Sequence, residues 1–94
     1  MAHVRLPRML ADLAGVDRTL EVEATNAGEV VSALLERHPE LRVHLFDESG
    51  WLRPNVLLFA DGEGIRDREQ LDRPVGPEGE VVILQSVAGG APEA

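Results

Sequence analysis

Two short segments of this chain are apolar at every position, VLLF at 56–59 and VVIL at 81–84. A strand with one solvent-exposed face alternates apolar and polar residues, whereas a strand that is apolar on both faces is usually covered on both. We therefore expect two strands whose second face something else covers. The segment ELRVHLF at 40–46 is compatible with a short helix or a strand and could supply that cover. The alternative is a partner protein.

The amino-terminal part of the chain predicts a β-hairpin. HVRLPRML and RTLEVEA are short runs in which apolar and polar residues alternate, and ADLAGVD between them carries the glycine and aspartate of a turn. Alternation places every second residue on the same face of a strand. The apolar residues predicted to line the buried face of this hairpin are Val4, Leu6, Leu20 and Val22.

A helix signal follows the hairpin. Asn26 precedes the run AGEVVSALLERH, and Glu29 stands three residues after it, which resembles a capping box. Apolar residues then recur at helical spacing until Pro39, which stops the helix. The sequence therefore predicts one main helix that ends at His38.

The second half predicts further strands joined by polar turns. RPNVLLFADGEG is typical of a strand that ends in an Asp–Gly turn, so the segment from Ile65 is expected to return beside it. A polar, turn-rich stretch follows with Leu71 as its inward anchor, and EVVILQSVA is the last strand. About four or five strands and one main helix make a two-layer α+β domain in which the helix covers one face of the sheet. We assign this domain to residues 1–88 and a flexible tail to residues 89–94.

The composition limits the classes of partner and the cellular location that we expect for this protein. The net charge is −8 and all nine basic residues are arginine. Because nucleic-acid binding depends on clustered basic side chains, we expect no nucleic-acid partner and favour basic protein surfaces. No apolar run approaches the roughly 20 residues of a membrane span, and the amino-terminal residues do not resemble a secretory signal. Without cysteine the chain has no disulfide or thiolate chemistry of its own. These features predict a cytoplasmic protein with no membrane partner.

No catalytic or metal site is legible in the sequence. His3, His38 and His44 stand on three different predicted elements without paired ligand spacing, so surface histidines are favoured over metal ligands. No nucleophile accompanies a base in a recognisable pattern. Trp51 follows a glycine in a loop, where it could close the edge of the core or meet a partner. We therefore expect a protein that binds no metal or cofactor and catalyses no reaction itself.

Two stretches of the second half resemble a known family. GWLRPNVLLFADGEGIR and LDRPVGPEGEVVILQSVAGG are similar to the MoaD/ThiS family of ubiquitin-like sulfur carriers, which have the β-grasp fold. The motifs LRPNV, DGEGIR and VAGG stand in family order, whereas the first half agrees only in its hairpin and in the helix opening NAGEVVSALL. The resemblance implies a mixed sheet of about four or five strands with one main helix on one face.

The resemblance also implies a function for the glycine pair. Gly90 would be the residue whose carboxyl group an activating enzyme adenylates with ATP and which then becomes a thiocarboxylate, and Gly89 would complete the flexible tip. Two glycines have no side chains that would obstruct a narrow channel of another enzyme. At ~3.3 Å per extended residue, the segment 87–90 would reach roughly 13 Å beyond the domain. The other implied partners are a sulfur donor of the desulfurase or rhodanese type and a sulfur-accepting enzyme of molybdopterin, thiamin, cysteine or secondary-metabolite synthesis.

The resemblance further implies a docking surface. Ordering a flexible tail in another enzyme's cleft costs backbone entropy, which contacts of the folded domain must offset. In the family the outward sheet face docks the activating enzyme. The partner-binding residues that this implies are Leu57, Phe59, Val82, Leu84 and Val87. The alternative for the first four is that they lie inside, under the segment 40–46.

The last four residues, APEA at 91–94, depart from the family pattern because they leave Gly90 with its carbonyl in a peptide bond. Some relatives lose such extensions to a zinc-dependent protease, which implies a processing site between Gly90 and Ala91. The alternatives are an added remnant or a carrier no longer in use. Two other functions also stay open: a ubiquitin-like modifier joined through Gly90 to target amines, and an interaction module that never uses its terminus.

Overall fold

The protein is described by a computed structural model that covers residues 1–86 and 92–93. The strands are β1 Ala2–Arg5, β2 Thr19–Val22, β3 Val56–Ala60, β4 Glu63–Ile65, β5 Glu80–Ser86 and β6 Pro92–Glu93. The helices are α1 Arg8–Ala14, α2 Ala27–Arg37 and α3 Arg42–Leu45, with 3-10 turns at Pro39–Leu41 and Arg68–Asp72.

One mixed sheet organises the chain, with the strand order β2-β1-β5-β3-β4. β1 pairs antiparallel with β2 and parallel with β5, and β3 pairs antiparallel with both β5 and β4. The two segments that are apolar throughout, in β3 and β5, are therefore neighbours near the middle of the sheet. The short β6 is also paired with β5, in antiparallel orientation.

The main helix begins where the sequence predicts and ends one residue before the predicted position. The Asn26 side chain accepts a hydrogen bond of 2.8 Å from the Glu29 backbone N–H, which satisfies one of the free donors of the first turn. The Glu29 carboxylate in turn accepts bonds from the backbone N–H and the hydroxyl of Thr25, both at 2.7 Å. The helix ends at Arg37, one residue earlier than predicted, with His38 as its cap and Pro39 opening the 3-10 turn that follows.

The predicted turn between β1 and β2 is wrong, because that segment forms helix α1. The helix follows Pro7, buries Leu10 and Ala11 in the core, and ends at Gly15 with a left-handed φ of 70°. The glycine that suggested a hairpin turn is therefore a helix cap, where a residue without Cβ is favoured. The pairing of β1 with β2 is nevertheless the predicted one, with Val4 opposite Leu20 and Val4 fully buried.

The segment 40–46 is helical and packs on the inner face of the sheet. Leu41 and Leu45 are buried in the same core cluster as the inward residues of α2, and the segment contacts both α1 and α2. The possibility that it covers the second face of the sheet is therefore wrong. Its apolar residues complete the first layer, which leaves the outer face of β3 and β5 without a second layer from the described residues.

The β3–β4 turn is the two-residue hairpin that the Asp–Gly pair predicts. Asp61 has a φ of 47° and Gly62 a φ of 84°, the left-handed pair that lets two antiparallel strands follow their natural twist. The Asp61 carboxylate also accepts a bond of 2.8 Å from the Glu80 backbone N–H, which ties the hairpin to the start of β5. Farther along, Leu71 packs against the core as its inward anchor, as predicted.

Candidate functional site

The four apolar residues predicted to share a face of β3 and β5 do share one. Leu57 lies directly opposite Leu84, and Phe59 lies directly opposite Val82, in the antiparallel register of the two strands. The residues between them point the other way and are buried: Val56, Leu58 and Ala60 on β3, and Val81, Ile83 and Gln85 on β5. We call Leu57, Phe59, Val82 and Leu84 the outer patch. Leu57 is 39% exposed and the other three are half-buried.

The edge strand β4 leaves room for the aromatic ring of the outer patch. Phe59 is paired with Gly64, and a Cβ built on this glycine would come within 3.6 Å of the Phe59 ring. The ring therefore lies over the glycine at ordinary contact distance. A methyl group at position 64 would therefore contact the ring without displacing it.

A groove of about 760 Å³ adjoins the outer patch at this edge of the sheet. Its lining includes Leu57 and Phe59 together with Trp51, Arg53, Arg66 and Arg73. Trp51 packs against the core, which is the edge position considered from the sequence, and the Arg68 guanidinium stands 6.0 Å from the centre of its ring. The patch therefore continues into a surface that is partly aromatic and partly basic.

The arginines of this groove were missed from the sequence. Arg53 donates from Nε to the Val43 carbonyl at 2.8 Å, and Arg73 bonds the Glu63 carboxylate at 3.1 Å. These bonds fix two guanidinium groups beside the outer patch in a chain whose net charge is −8. The sequence shows an arginine on each side of the β3–β4 hairpin, but only the folded structure shows that these arginines line one groove.

The outer patch leads directly towards the tail. Leu84 lies two residues before Ser86, where the continuous description of the chain ends. Val87, Gly89, Gly90 and Ala91, which carry the predicted partner contact, flexible tip, carboxyl chemistry and cleavage, lie outside the described residues, as does the boundary predicted at residue 89. Their roles and the docking role of the patch stay predictions.

The titratable groups whose pKa is shifted lie away from the outer patch. Hydrogen bonds from the side chain and backbone of Thr25 lower the pKa of Glu29, and bonds from Ser49 do the same for Asp47. The His3 ring at 3.1 Å, helped by the charge of the amino terminus, lowers the pKa of Glu78. All three are surface carboxylates stabilised in their charged form. Within residues 1–86 and 92–93, no group of three or more His, Asp or Glu side chains could hold a metal ion.

The mixed sheet, packed on one face against a single long helix and two short ones, defines a ubiquitin-like protein with the β-grasp fold. A family model matches residues 4–90 of this chain. The chain belongs to the ThiS family, which confirms the resemblance seen in the sequence and the fold that it implied.

Solved structures of similar fold cover nearly the whole chain. The crystal structure of SAMP1 from Haloferax volcanii is 26% identical and has a TM-score of 0.77, with 95% of this chain and 98% of that one covered. The matched chain of the Amycolatopsis orientalis BexX/CysO complex is 23% identical, with a TM-score of 0.79 and coverage of 96% and 100%. CysO from Mycobacterium tuberculosis, described as an antigen, is 24% identical, with a TM-score of 0.78 and coverage of 93% and 100%. A comparison with curated proteins gives no match.

Family membership sets the class of function. It supports a small ubiquitin-like sulfur carrier or modifier, which is not itself a catalyst. Among the helices of the described part of the chain, none is long and apolar enough to cross a membrane.

Proposed function

We propose that this protein is a cytoplasmic sulfur carrier whose Gly90 carboxyl group, once residues 91–94 have been removed, is adenylated and converted to a thiocarboxylate that donates sulfur in a biosynthetic pathway. The observation that carries the proposal is the family match, which covers residues 4–90 and so ends at Gly90, four residues before the end of the given sequence. Gly90 thus stands where the chain of a family member would end.

The first step is hydrolysis of the bond between Gly90 and Ala91. Water adds its oxygen to the Gly90 carbonyl carbon, the C–N bond breaks, and the Ala91 nitrogen takes a proton. The product has the free carboxylate that the next step requires. The catalyst proposed for this step is a metalloprotease, as the resemblance to the family implies. Within residues 1–86 and 92–93 the chain assembles no nucleophile and base for the purpose.

The second step is activation, because a carboxylate is a poor electrophile. An adenylating enzyme joins the Gly90 carboxylate to the α-phosphate of ATP with release of pyrophosphate. The terminal sulfur of a persulfide on a desulfurase or rhodanese type of donor then attacks the acyl carbon and displaces AMP, and a thiol reductant cleaves the S–S bond of the acyl disulfide and is itself oxidised to a disulfide. The resulting thiocarboxylate is a sulfur nucleophile on a tether, and the acceptor enzyme uses it. The carrier binds no cofactor, since ATP is bound and used by its partner.

The outer patch supplies the contacts that the tail alone lacks. Holding four tail residues in a cleft costs on the order of 4–8 kcal/mol of backbone entropy. Leu57, Phe59, Val82 and Leu84 form a continuous apolar surface on β3 and β5, suited to docking on an enzyme. That a structure of a BexX/CysO complex exists for a similar fold supports partners of this kind for the present chain.

The test compares the chain ending at Gly90, the same chain with Gly90→Ala, and the full-length chain. Each is incubated with a candidate adenylating enzyme, ATP and a sulfur donor, and its intact mass is measured. We expect only the first chain to gain the mass difference between oxygen and sulfur. Equal loading of the Gly90→Ala chain, or no loading by any adenylating enzyme of the host, would overturn the proposal.

A ubiquitin-like modifier is the second candidate, because the solved relatives include small archaeal modifier proteins. A modifier would form covalent adducts with other proteins through Gly90, and the absence of lysine means that it cannot build chains of itself through lysine side chains. Adducts in host cells that vanish when Gly90 is deleted would favour this candidate. A chain that neither loads sulfur nor forms adducts would be an interaction module.

A further inference from the structure

The two strands on either side of β5 pair with it over different lengths. On one side β3 follows β5 as far as Gln85, which is paired with Val56. On the other side β1 follows it only as far as Val82, opposite Arg5, because the chain then leaves the sheet to begin helix α1. The last residues of β5 would thus present an open edge on the β1 side.

The short strand β6, Pro92–Glu93, pairs with this open edge. Glu93 is paired with Gln85, and Pro92 is paired with Ser86. Since Gln85 already has Val56 as its partner on the β3 side, Glu93 must lie on the β1 side. Pro92 and Glu93, which follow the end of the family match, are therefore paired with the sheet.

This pairing restricts where the tail can go. Fully extended, the six steps from Ser86 to Pro92 would span roughly 20 Å. Paired neighbouring strands are only about 5 Å apart. An enzyme that needs the chain between Ser86 and Pro92 extended in a cleft must therefore first separate β6 from β5.

We propose that Pro92–Glu93 is a clasp: it pairs with the open edge of β5, and this pairing must open before the Gly90–Ala91 bond can be cut. The inference rests on the proposed function for its purpose, but the pairing itself is a property of the chain alone. Pro92 has no N–H to donate, and the pairing has only two residue pairs, so the clasp is weak enough to open without unfolding the domain. Trimming then removes it permanently.

The absence of cysteine makes the clasp directly testable. Residues directly opposite in an antiparallel pair have Cβ atoms ~4.5–5.5 Å apart, close enough for a disulfide after small adjustment. We would make Ser86→Cys together with Pro92→Cys, and as the matched control Ser86→Cys together with Glu93→Cys. The control is out of register by one residue, and neighbouring strand residues point to opposite faces. Under mild oxidation the first variant is expected to close its disulfide faster, whereas equal rates would overturn the clasp.

A second measurement leaves the native residues in place. Amide hydrogen exchange is compared between the full-length chain and the chain ending at Gly90. We expect the amides of Gln85 and Ser86, taken together, to exchange at least about fivefold more slowly in the full-length chain, because local pairing must open first. The Val82 amide is the internal control, since β1 accompanies Val82 in both chains. Identical exchange in the two chains would overturn the proposal.

The consequence for the tail is tested with a protease that cleaves after small residues, which are present at 88–91. The oxidised Ser86→Cys, Pro92→Cys chain should be cut at least about tenfold more slowly than its reduced form, because cleavage needs local opening. Equal rates would contradict the clasp. These readouts use no sulfur chemistry, so a chain that has the clasp but never loads sulfur would refute the proposed function alone. A chain that loads sulfur but shows no clasp would refute this inference alone.

Discussion

Leu57 and Leu84 lie directly opposite each other on β3 and β5, on the sheet face away from the helices, whereas Leu58 is buried on the other face. Because of this alternation, we expect a substitution of Leu57 to affect docking and a substitution of Leu58 to affect the stability of the domain. Leu57 is 39% exposed and Leu58 only 3%. The same leucine-to-alanine change at adjacent positions should therefore have opposite consequences.

We expect Leu58→Ala to lower the free energy of unfolding by about 2–5 kcal/mol, because it leaves a cavity in the core. Leu57→Ala should cost less than about 1 kcal/mol, yet weaken binding to the adenylating enzyme and slow loading of the trimmed chain. Denaturant unfolding measures the first effect, and the rate of mass gain measures the second. Normal loading by a folded Leu57→Ala chain would remove Leu57 from the docking surface.

The sequence predicts which residues of β3 and of β5 share a face, because this depends on local periodicity alone. Alternation in β3 and β5 shows that Leu57 shares a face with Phe59, and that Val82 shares one with Leu84, without knowledge of the fold. It cannot show whether that face is inside or outside, since both sides of these strands are apolar. The packing of α2 and of the segment 40–46 on the other face decides the question.

The features that sequence reasoning missed depend on contacts distant in the chain or on very short elements. Helix α1 has only seven residues, and its terminal glycine is equally typical of a turn. The basic side of the groove depends on Arg53 and Arg73 lining the same groove although they are 20 positions apart in the sequence. The pairing of Pro92–Glu93 is not predictable from the sequence, since a strand of two residues leaves no periodicity to detect.

Gly79 is enclosed in a way that forbids any side chain. A Cβ there would collide with the Val75 side chain, and would lie 2.8 Å from the Gly76 nitrogen and 2.9 Å from the Asp61 carboxylate oxygen. We expect Gly79→Ala to lower the free energy of unfolding by about 1–3 kcal/mol, because the backbone must shift to admit the methyl group. Gly76→Ala is the matched control, since a Cβ at Gly76 meets nothing within 4 Å. Equal unfolding midpoints in denaturant for the two variants would contradict the predicted clash.

Stability should depend on pH through the carboxylate that supports the start of α2. Hydrogen bonds from the Thr25 side chain and backbone lower the pKa of Glu29 below 4.5. Because the pKa is lower in the folded state, the contribution is present above the unfolded pKa and is lost as pH falls through the folded one. Glu29→Gln should therefore be less stable than the native chain at about pH 6, and the difference should shrink towards about pH 3. Denaturant unfolding across this range measures it, and a difference that stays constant or grows on acidification would contradict the assignment.

Gln85 is the one buried polar side chain in the described part of the chain. It is 7% exposed, and its Oε1 has no hydrogen-bond partner among the described residues. An unsatisfied buried acceptor costs about 1–3 kcal/mol, so Gln85→Met, which keeps the length and removes the acceptor, should raise the free energy of unfolding by about 1 kcal/mol. Leu84→Met, on the half-exposed outer patch next to it, is the matched control and should change stability by less than about 1 kcal/mol. The measurement is denaturant unfolding of the chain ending at Gly90, with the full-length chain in parallel. If Gln85→Met destabilises both chains, the amide makes a bond that the folded domain needs, and the prediction is wrong.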